Sequence, residues 1–137
     1  MFAAILAATL MHVSAPPAVQ LANAQRAATF HILVLPDSMR LQRAEALRDG
    51  SAVRLEYSVE GVVINVEERP AVTTETPFPD AQNQLFNLNG YPAVYHENSG
   101  YRAVSALAWY RTDLTVIIAS RDRVNEPLLI DIALELR

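Results

Sequence analysis

Apolar residues recur at every second position on both sides of Glu60-Gly61, and this period constrains the fold more than any other feature of the chain. Every second residue is apolar over residues 53–59, and the same period returns over residues 62–66. Successive side chains of a β-strand point to opposite faces, so this period gives one buried face and one polar face. The pattern predicts an antiparallel hairpin with a core on one side only.

Apolar runs that end at turn residues predict five further strands, over residues 30–35, 84–88, 91–96, 104–111 and 114–120. Asn89-Gly90 is a strong signal for a two-residue hairpin turn because both residues tolerate a positive φ. The run over residues 114–120 is apolar on both faces, which predicts a central and covered strand.

Two segments carry helical signals. Judged alone, residues 38–50 favour a helix because of their composition and the closing Gly50. The resemblance given below favours a strand there, so helix or strand stays open. A closing amphipathic helix from about Asn125 to Leu136 is predicted by an apolar stripe, which consists of Leu128, Leu129, Ile132, Ala133 and Leu136.

Together these elements predict an α+β fold. We expect a single twisted antiparallel sheet of about seven to eight strands, open or curled into a half-barrel. The C-terminal helix should pack on one face of this sheet.

The N-terminal residues predict export. Residues 2–13 are apolar and uncharged, about as long as the hydrophobic region of a signal peptide and short of the ~20 residues that span a bilayer. Ala22-Asn23-Ala24 matches the small-x-small pattern of a cleavage site. The predicted organisation is a signal peptide or membrane anchor, a linker and one domain, at residues 1–24, 25–29 and 30–137. The alternatives are a packing helix and the remnant of an anchor that begins upstream. We expect a secreted, periplasmic or membrane-anchored protein that faces outward.

The order of elements resembles a known family. The motifs that carry the resemblance are FHILVLP (30–36), VRLEY (53–57), the Asn89-Gly90 hairpin, LAWY (107–110) and IDIALEL (130–136). They are similar to an uncharacterised extracytoplasmic domain that follows the membrane anchor in some bacterial anti-sigma factors and related surface proteins. The chain departs from that pattern at Ser38-Met39, where a glycine and an aromatic residue are expected. The resemblance implies a sensory or regulatory domain, or one that binds a lipid or cell-wall ligand, and it brings no catalytic residues.

No residue pattern predicts catalysis. The chain has no cysteine, and its three histidines lack the spacing of a zinc site. Glu67 and Glu68 are adjacent in a strand, so they point to opposite faces, and we expect solvent-facing edge charges. The net charge is −4, and the eleven basic residues, all Arg, are dispersed. We therefore expect a non-enzymatic protein without metal or other cofactor, and nucleic acid is not an expected partner.

Binding of a protein partner or a hydrophobic or cell-envelope ligand is the leading functional hypothesis. The candidate surfaces are the open sheet face, the proline-rich loop at residues 69–83, and an aromatic cleft formed by Tyr91, Tyr95, Tyr101 and Tyr110. An alternative is a carrier that holds a lipid or another hydrophobic ligand in an apolar cavity between a curved sheet and the helix, whereas a regulatory domain predicts a filled core. A small hydrolase is the third hypothesis. The sequence leaves the oligomeric state and the identity of the ligand open.

Overall fold

The computed structural model describes residues 15–36, 40–71, 84–97, 105–122 and 126–137. Within these ranges the chain forms a helix, seven strands and a second helix. They are α1 (Pro17–Ala27), β1 (Arg40–Leu47), β2 (Ala52–Val59), β3 (Val62–Pro70), β4 (Gln84–Leu88), β5 (Tyr91–Glu97), β6 (Ser105–Tyr110), β7 (Leu114–Ser120) and α2 (Glu126–Glu135). A short 3₁₀ turn, Arg48–Gly50, joins β1 to β2.

All seven strands belong to one open antiparallel sheet in the order β1-β2-β3-β7-β6-β5-β4. The predicted α+β class is confirmed, and β7 is the central strand, as its two-sided apolar pattern predicts. The predicted hairpins at Glu60-Gly61 and Asn89-Gly90 are both present, with a positive φ at all four turn residues. Within the sheet, the two meanders β1-β2-β3 and β4-β5-β6-β7 are joined by the pairing of β3 with β7.

One face of the sheet is covered and forms the core. The apolar side of α2 packs on it over β6 and β7, and Leu129, Ile132 and Ala133 are fully buried there. Sheet side chains that face this layer, among them Leu55 and Ile118, are equally inaccessible. The described residues between helix and sheet therefore form a filled apolar layer.

The prediction of a strand at residues 30–35 is wrong. This segment is extended but belongs to no sheet, and it crosses the covered face beside α2. Its backbone bonds elsewhere: the N–H groups of Leu33 and Leu35 donate to side chains of the sheet, and Val34 exchanges two hydrogen bonds with Arg137, at 2.9 and 3.0 Å. The segment is therefore part of the cover of the sheet, which leaves seven strands.

The open question at residues 38–50 resolves as a strand over residues 40–47, because β1 pairs with β2 from Arg40 to Leu47 with one shift of register. Local helix propensity is overridden by this pairing and by the burial of Ala44. Residues 37–39 lie outside the described residues.

Helix α1 packs along β1. Oε1 of Gln20 accepts the N–H of Ala44 at 3.0 Å, and the Gln25 amide bonds both Phe30 and Ile32. Residues 25–27 of the predicted linker therefore belong to a helix that contacts the sheet. Residues 1–14 lie outside the described residues, so the signal peptide or anchor stays a prediction. Among the described helices, none combines the length and the apolar character needed to span a membrane.

Gly50 fixes the approach of α1 to the sheet, and its substitution tests this contact. Its φ is +86°, and a Cβ at this position would overlap the carbonyl oxygen of Ala27 at the end of α1. Gly61, with φ +77°, has open space around it and is the matched control.

We expect Gly61→Ala to lower the free energy of unfolding by about 1 kcal/mol, the cost of a left-handed backbone. Gly50→Ala adds the displacement of α1 and should cost about 1–3 kcal/mol more, in the range of overpacked cores. Urea denaturation of both variants measures the difference. Equal losses would show that α1 does not press on the turn.

Candidate functional site

One row of directly opposed residues crosses the open face of the sheet through all seven strands: Glu45, Arg54, Glu67, Ile117, Ala108, Val94 and Leu85. The row is charged on β1, β2 and β3, and it is apolar on β7, β6, β5 and β4. This face is thus divided into a charged half and an apolar half, which meet between β3 and β7. The charged half is open, whereas on the apolar half Ala108 is 0% and Val94 6% exposed.

A groove of about 670 Å³ lies on the charged half and reaches across this boundary. Its lining comes from β1, β2, β3, β7 and the segment that follows β7: Arg43, Glu45, Arg54, Glu56, Val63, Asn65, Glu67, Ile117, Ala119, Arg121 and Asp122. Val63 is 45% exposed, which makes it one of the few large apolar side chains open to solvent. The groove therefore combines apolar contact surface with charges of both signs.

The charges of the groove are only loosely paired. Arg54 lies 3.5 Å from Glu67, and Arg43 lies 3.4 Å from Glu45. Exposed pairs of this kind contribute little to stability, typically below about 1 kcal/mol. Their side chains can consequently exchange these partners for groups of a ligand at little cost.

Glu68 is the one carboxyl group on the covered face among the described residues, and the expectation of a solvent-facing charge is wrong for it. Its side chain is 0% exposed. Oε1 accepts the N–H of Leu33 at 2.7 Å, whereas Oε2 has no hydrogen-bond partner among the described residues. Glu68 stands at an even spacing from Ile64 and Val66, so the period of the strand itself places it in the core. This was the signal that could have located it.

Burial raises the pKa of Glu68 to about 8, because the interior disfavours the charged carboxylate. The hydrogen bond from Leu33 and the positive charge of Arg111 oppose this shift. The nearby Tyr57 hydroxyl accepts the N–H of Leu35 at 3.3 Å, and burial raises the pKa of Tyr57 to about 12. Glu68 and Tyr57 together form a small polar cluster under the extended segment.

The four predicted tyrosines do not share one location. Tyr91 and Tyr95 pack against the core on the covered face, and Tyr91 meets the Trp109 ring edge-on at 6.2 Å. Tyr110 follows Trp109 directly in β6 and therefore faces the opposite side. Tyr101 lies outside the described residues, as does most of the proline-rich loop. A ligand-binding role for these tyrosines stays a prediction.

The Tyr91–Trp109 pair is part of a packed aromatic cluster. The indole N–H of Trp109 donates to the carbonyl of Leu88 at 3.1 Å, which ties β6 to the β4–β5 hairpin. The guanidinium of Arg111 lies 5.0 Å from the Trp109 ring centre and 5.6 Å from that of Tyr91. These distances fit cation–π contacts, so the cluster stabilises this end of the sheet.

In the part of the chain that the structure describes, no group of three or more metal-binding side chains occurs. Comparison with protein-family models, with curated proteins and with solved structures gives no match for this chain. The open antiparallel α+β fold and the geometry of the groove are therefore the grounds for a functional proposal.

Replacement of Glu68 by Gln tests the buried carboxyl group. The folded pKa of about 8 exceeds the unfolded value of 4.5, so the folded state binds more protons between these pH values. Protonation of Glu68 therefore stabilises the folded state fully below pH 4.5, and this stabilisation is lost as the pH rises through 8.

As the pH rises from 4.5 to 8, we expect the free energy of unfolding of the native chain to fall by up to about 5 kcal/mol. Glu68→Gln lacks the titrating carboxyl group and should not show this fall. Denaturant unfolding of both proteins at several pH values measures this difference, and all other titrating groups cancel because both proteins carry them. A difference that is constant with pH would contradict the assignment.

Proposed function

We propose that this chain is a non-enzymatic binding domain that acts outside the cytoplasmic membrane and holds a segment of a protein partner on the open face of its sheet. The observation that carries the proposal is the 670 Å³ groove with its apolar contact surface and its rim of mixed charge. A regulatory role, of the kind implied by the resemblance to anti-sigma-associated domains, fits such a groove.

The shape and apolar surface of the groove support a peptide ligand. Val63, Ile117 and Ala119 offer apolar contacts on two neighbouring strands. Binding sites typically combine apolar surface with a few polar groups that set orientation. A groove that runs across several strands suits an extended chain better than a compact small molecule.

The charges of the groove support a polypeptide over nucleic acid. Three of its charged residues are basic and four are acidic; they are Arg43, Arg54, Arg121, Glu45, Glu56, Glu67 and Asp122. A phosphate backbone is attracted by basic groups and repelled by acidic ones. A protein segment that carries both signs can complement this pattern, and complementarity of charge gives specificity.

Two further observations favour binding over the other hypotheses. The described carboxyl group with a strongly raised pKa, Glu68, lies on the covered face and is out of reach of a ligand in the groove. The carrier hypothesis requires an apolar cavity under α2, and the side chains described between α2 and the sheet are fully buried.

The location outside the cytoplasm rests on the apolar residues 2–13 and on the resemblance. The contacts of α1 with the sheet favour an anchor over cleavage after Ala24, since cleavage there would remove most of α1. We expect expression with the native N-terminus to place the chain outside the cytoplasm with α1 intact. Cell fractionation and N-terminal sequencing measure this, and an intact chain found only in the cytoplasm would contradict export.

A displayed library of random peptides tests the groove. We expect enriched peptides to bind the native chain, and Val63→Asp and Arg54→Glu each to weaken binding roughly tenfold or more, the loss of about 1.4 kcal/mol. Arg48→Glu is the matched control, because Arg48 is exposed at the β1–β2 turn, outside the groove.

Fluorescence anisotropy with one enriched peptide gives the affinities. The proposal fails if no peptide is enriched, or if the two groove variants bind as well as Arg48→Glu does.

A further inference from the structure

The two edges of the sheet differ in how they are protected. The edge strand β1 is shielded by α1, whose Gln20 accepts the N–H of Ala44 at 3.0 Å. The register of β1 with β2 shifts between Leu41 and Arg43, and three charged residues occur along β1, namely Arg40, Arg43 and Glu45. A covering element, an irregular register and charges are the usual means by which proteins prevent pairing at a sheet edge.

The opposite edge strand, β4, has none of these devices in the residues that the structure describes. Its sequence, QLFNL, contains no charge and no proline, and its register with β5 is regular. It is the last strand in the order of the sheet. Leu85 on this strand is 67% exposed, the most exposed of the large apolar side chains described. An unprotected strand of this kind is a template for pairing.

The hairpin register identifies the free backbone groups of β4. Leu88 and Tyr91 flank the two-residue turn and therefore form a hydrogen-bonded pair, as does Phe86 with Ala93 two residues further on. The N–H and C=O groups of Leu85 and Asn87 consequently point away from β5. Their alternating donors and acceptors match the edge of another extended strand.

We propose that β4 pairs antiparallel with β4 of a second copy of this chain. In a two-fold arrangement centred on Phe86, Leu85 of each copy lies opposite Asn87 of the other. The N–H and C=O groups of Leu85 and Asn87 on each strand then bond to the same groups of the other copy. These eight groups form four hydrogen bonds in total. The pairing joins two seven-stranded sheets into one continuous sheet.

Self-pairing fits this edge because the strand is neutral. Like charges opposite one another would oppose a symmetric pairing, and QLFNL brings none together. The same register sets the two Phe86 rings side by side at the covered face, where each already packs against the core. The edge carries no charge with which to select a charged partner peptide.

The proposed interface is small, so the dimer should be weak and reversible. Five residues per copy bury far less than the ~800 Å² per partner of a standard stable interface. We therefore expect a monomer–dimer equilibrium that shifts toward the dimer as the protein concentration rises.

Sedimentation velocity over a wide range of protein concentration tests the proposal. Leu85→Pro removes an outward N–H from each copy and leaves the β4–β5 ladder intact, since that N–H takes no part in it. Leu85→Ala is the matched control, because it keeps the N–H and shortens the same side chain.

We expect the native chain and Leu85→Ala to dimerise, and Leu85→Pro to raise the dissociation constant at least tenfold. Circular dichroism and thermal unfolding check that Leu85→Pro remains folded; if it does not, Leu85→Lys, which adds a charge to the edge, takes its place. The proposal is overturned if the native chain stays monomeric at every concentration. This holds even if an added peptide binds at β4, because the proposed partner is a second copy of the chain. It is also overturned if the folded edge variant and Leu85→Ala dimerise equally.

Discussion

Covering one wide apolar face is the constraint from which most of this structure follows. Seven strands about 4.8 Å apart span roughly 29 Å, whereas a helix with its side chains is only about 10 Å wide. Helix α2 covers β6 and β7, and the extended segment at residues 30–36 lies beside it over β2 and β3. The two hydrogen bonds between Val34 and Arg137 join these two parts of the cover. Neither part alone would exclude water from the sheet.

The buried carboxyl group is a consequence of this cover. An extended segment that crosses a sheet face has no neighbouring strand to accept its N–H groups, and a buried N–H without a partner is costly. Glu68 and Tyr57 supply the acceptors for Leu33 and Leu35. The proton that Glu68 retains up to about pH 8 lowers the cost of its burial, because a neutral carboxyl group is far easier to desolvate than a carboxylate.

Local patterns predicted most strands and the closing helix α2 well, and the extended segment of the cover poorly. Alternation and turn residues located β2, β3 and the β4–β5 hairpin, because period and turn chemistry are properties of neighbouring residues. The run FHILVL has the same composition whether it pairs in a sheet or crosses one, so sequence alone predicted a strand. Glu68 was assigned to solvent from its charge, although the period placed it inside. The groove escaped prediction because it depends on which strands become neighbours, above all on the pairing of β3 with β7.

The division of the open face separates the two proposed surfaces. The groove lies on β1, β2, β3 and β7, and the free edge is β4, with β6 and β5 between them. Pairing at β4 therefore leaves the groove accessible, and the proposed dimer presents two grooves on one continuous sheet. A partner with two copies of the recognised segment would then bind the second groove at a high effective concentration. A weak self-association can in this way strengthen the capture of a repeated ligand without any change in the groove itself.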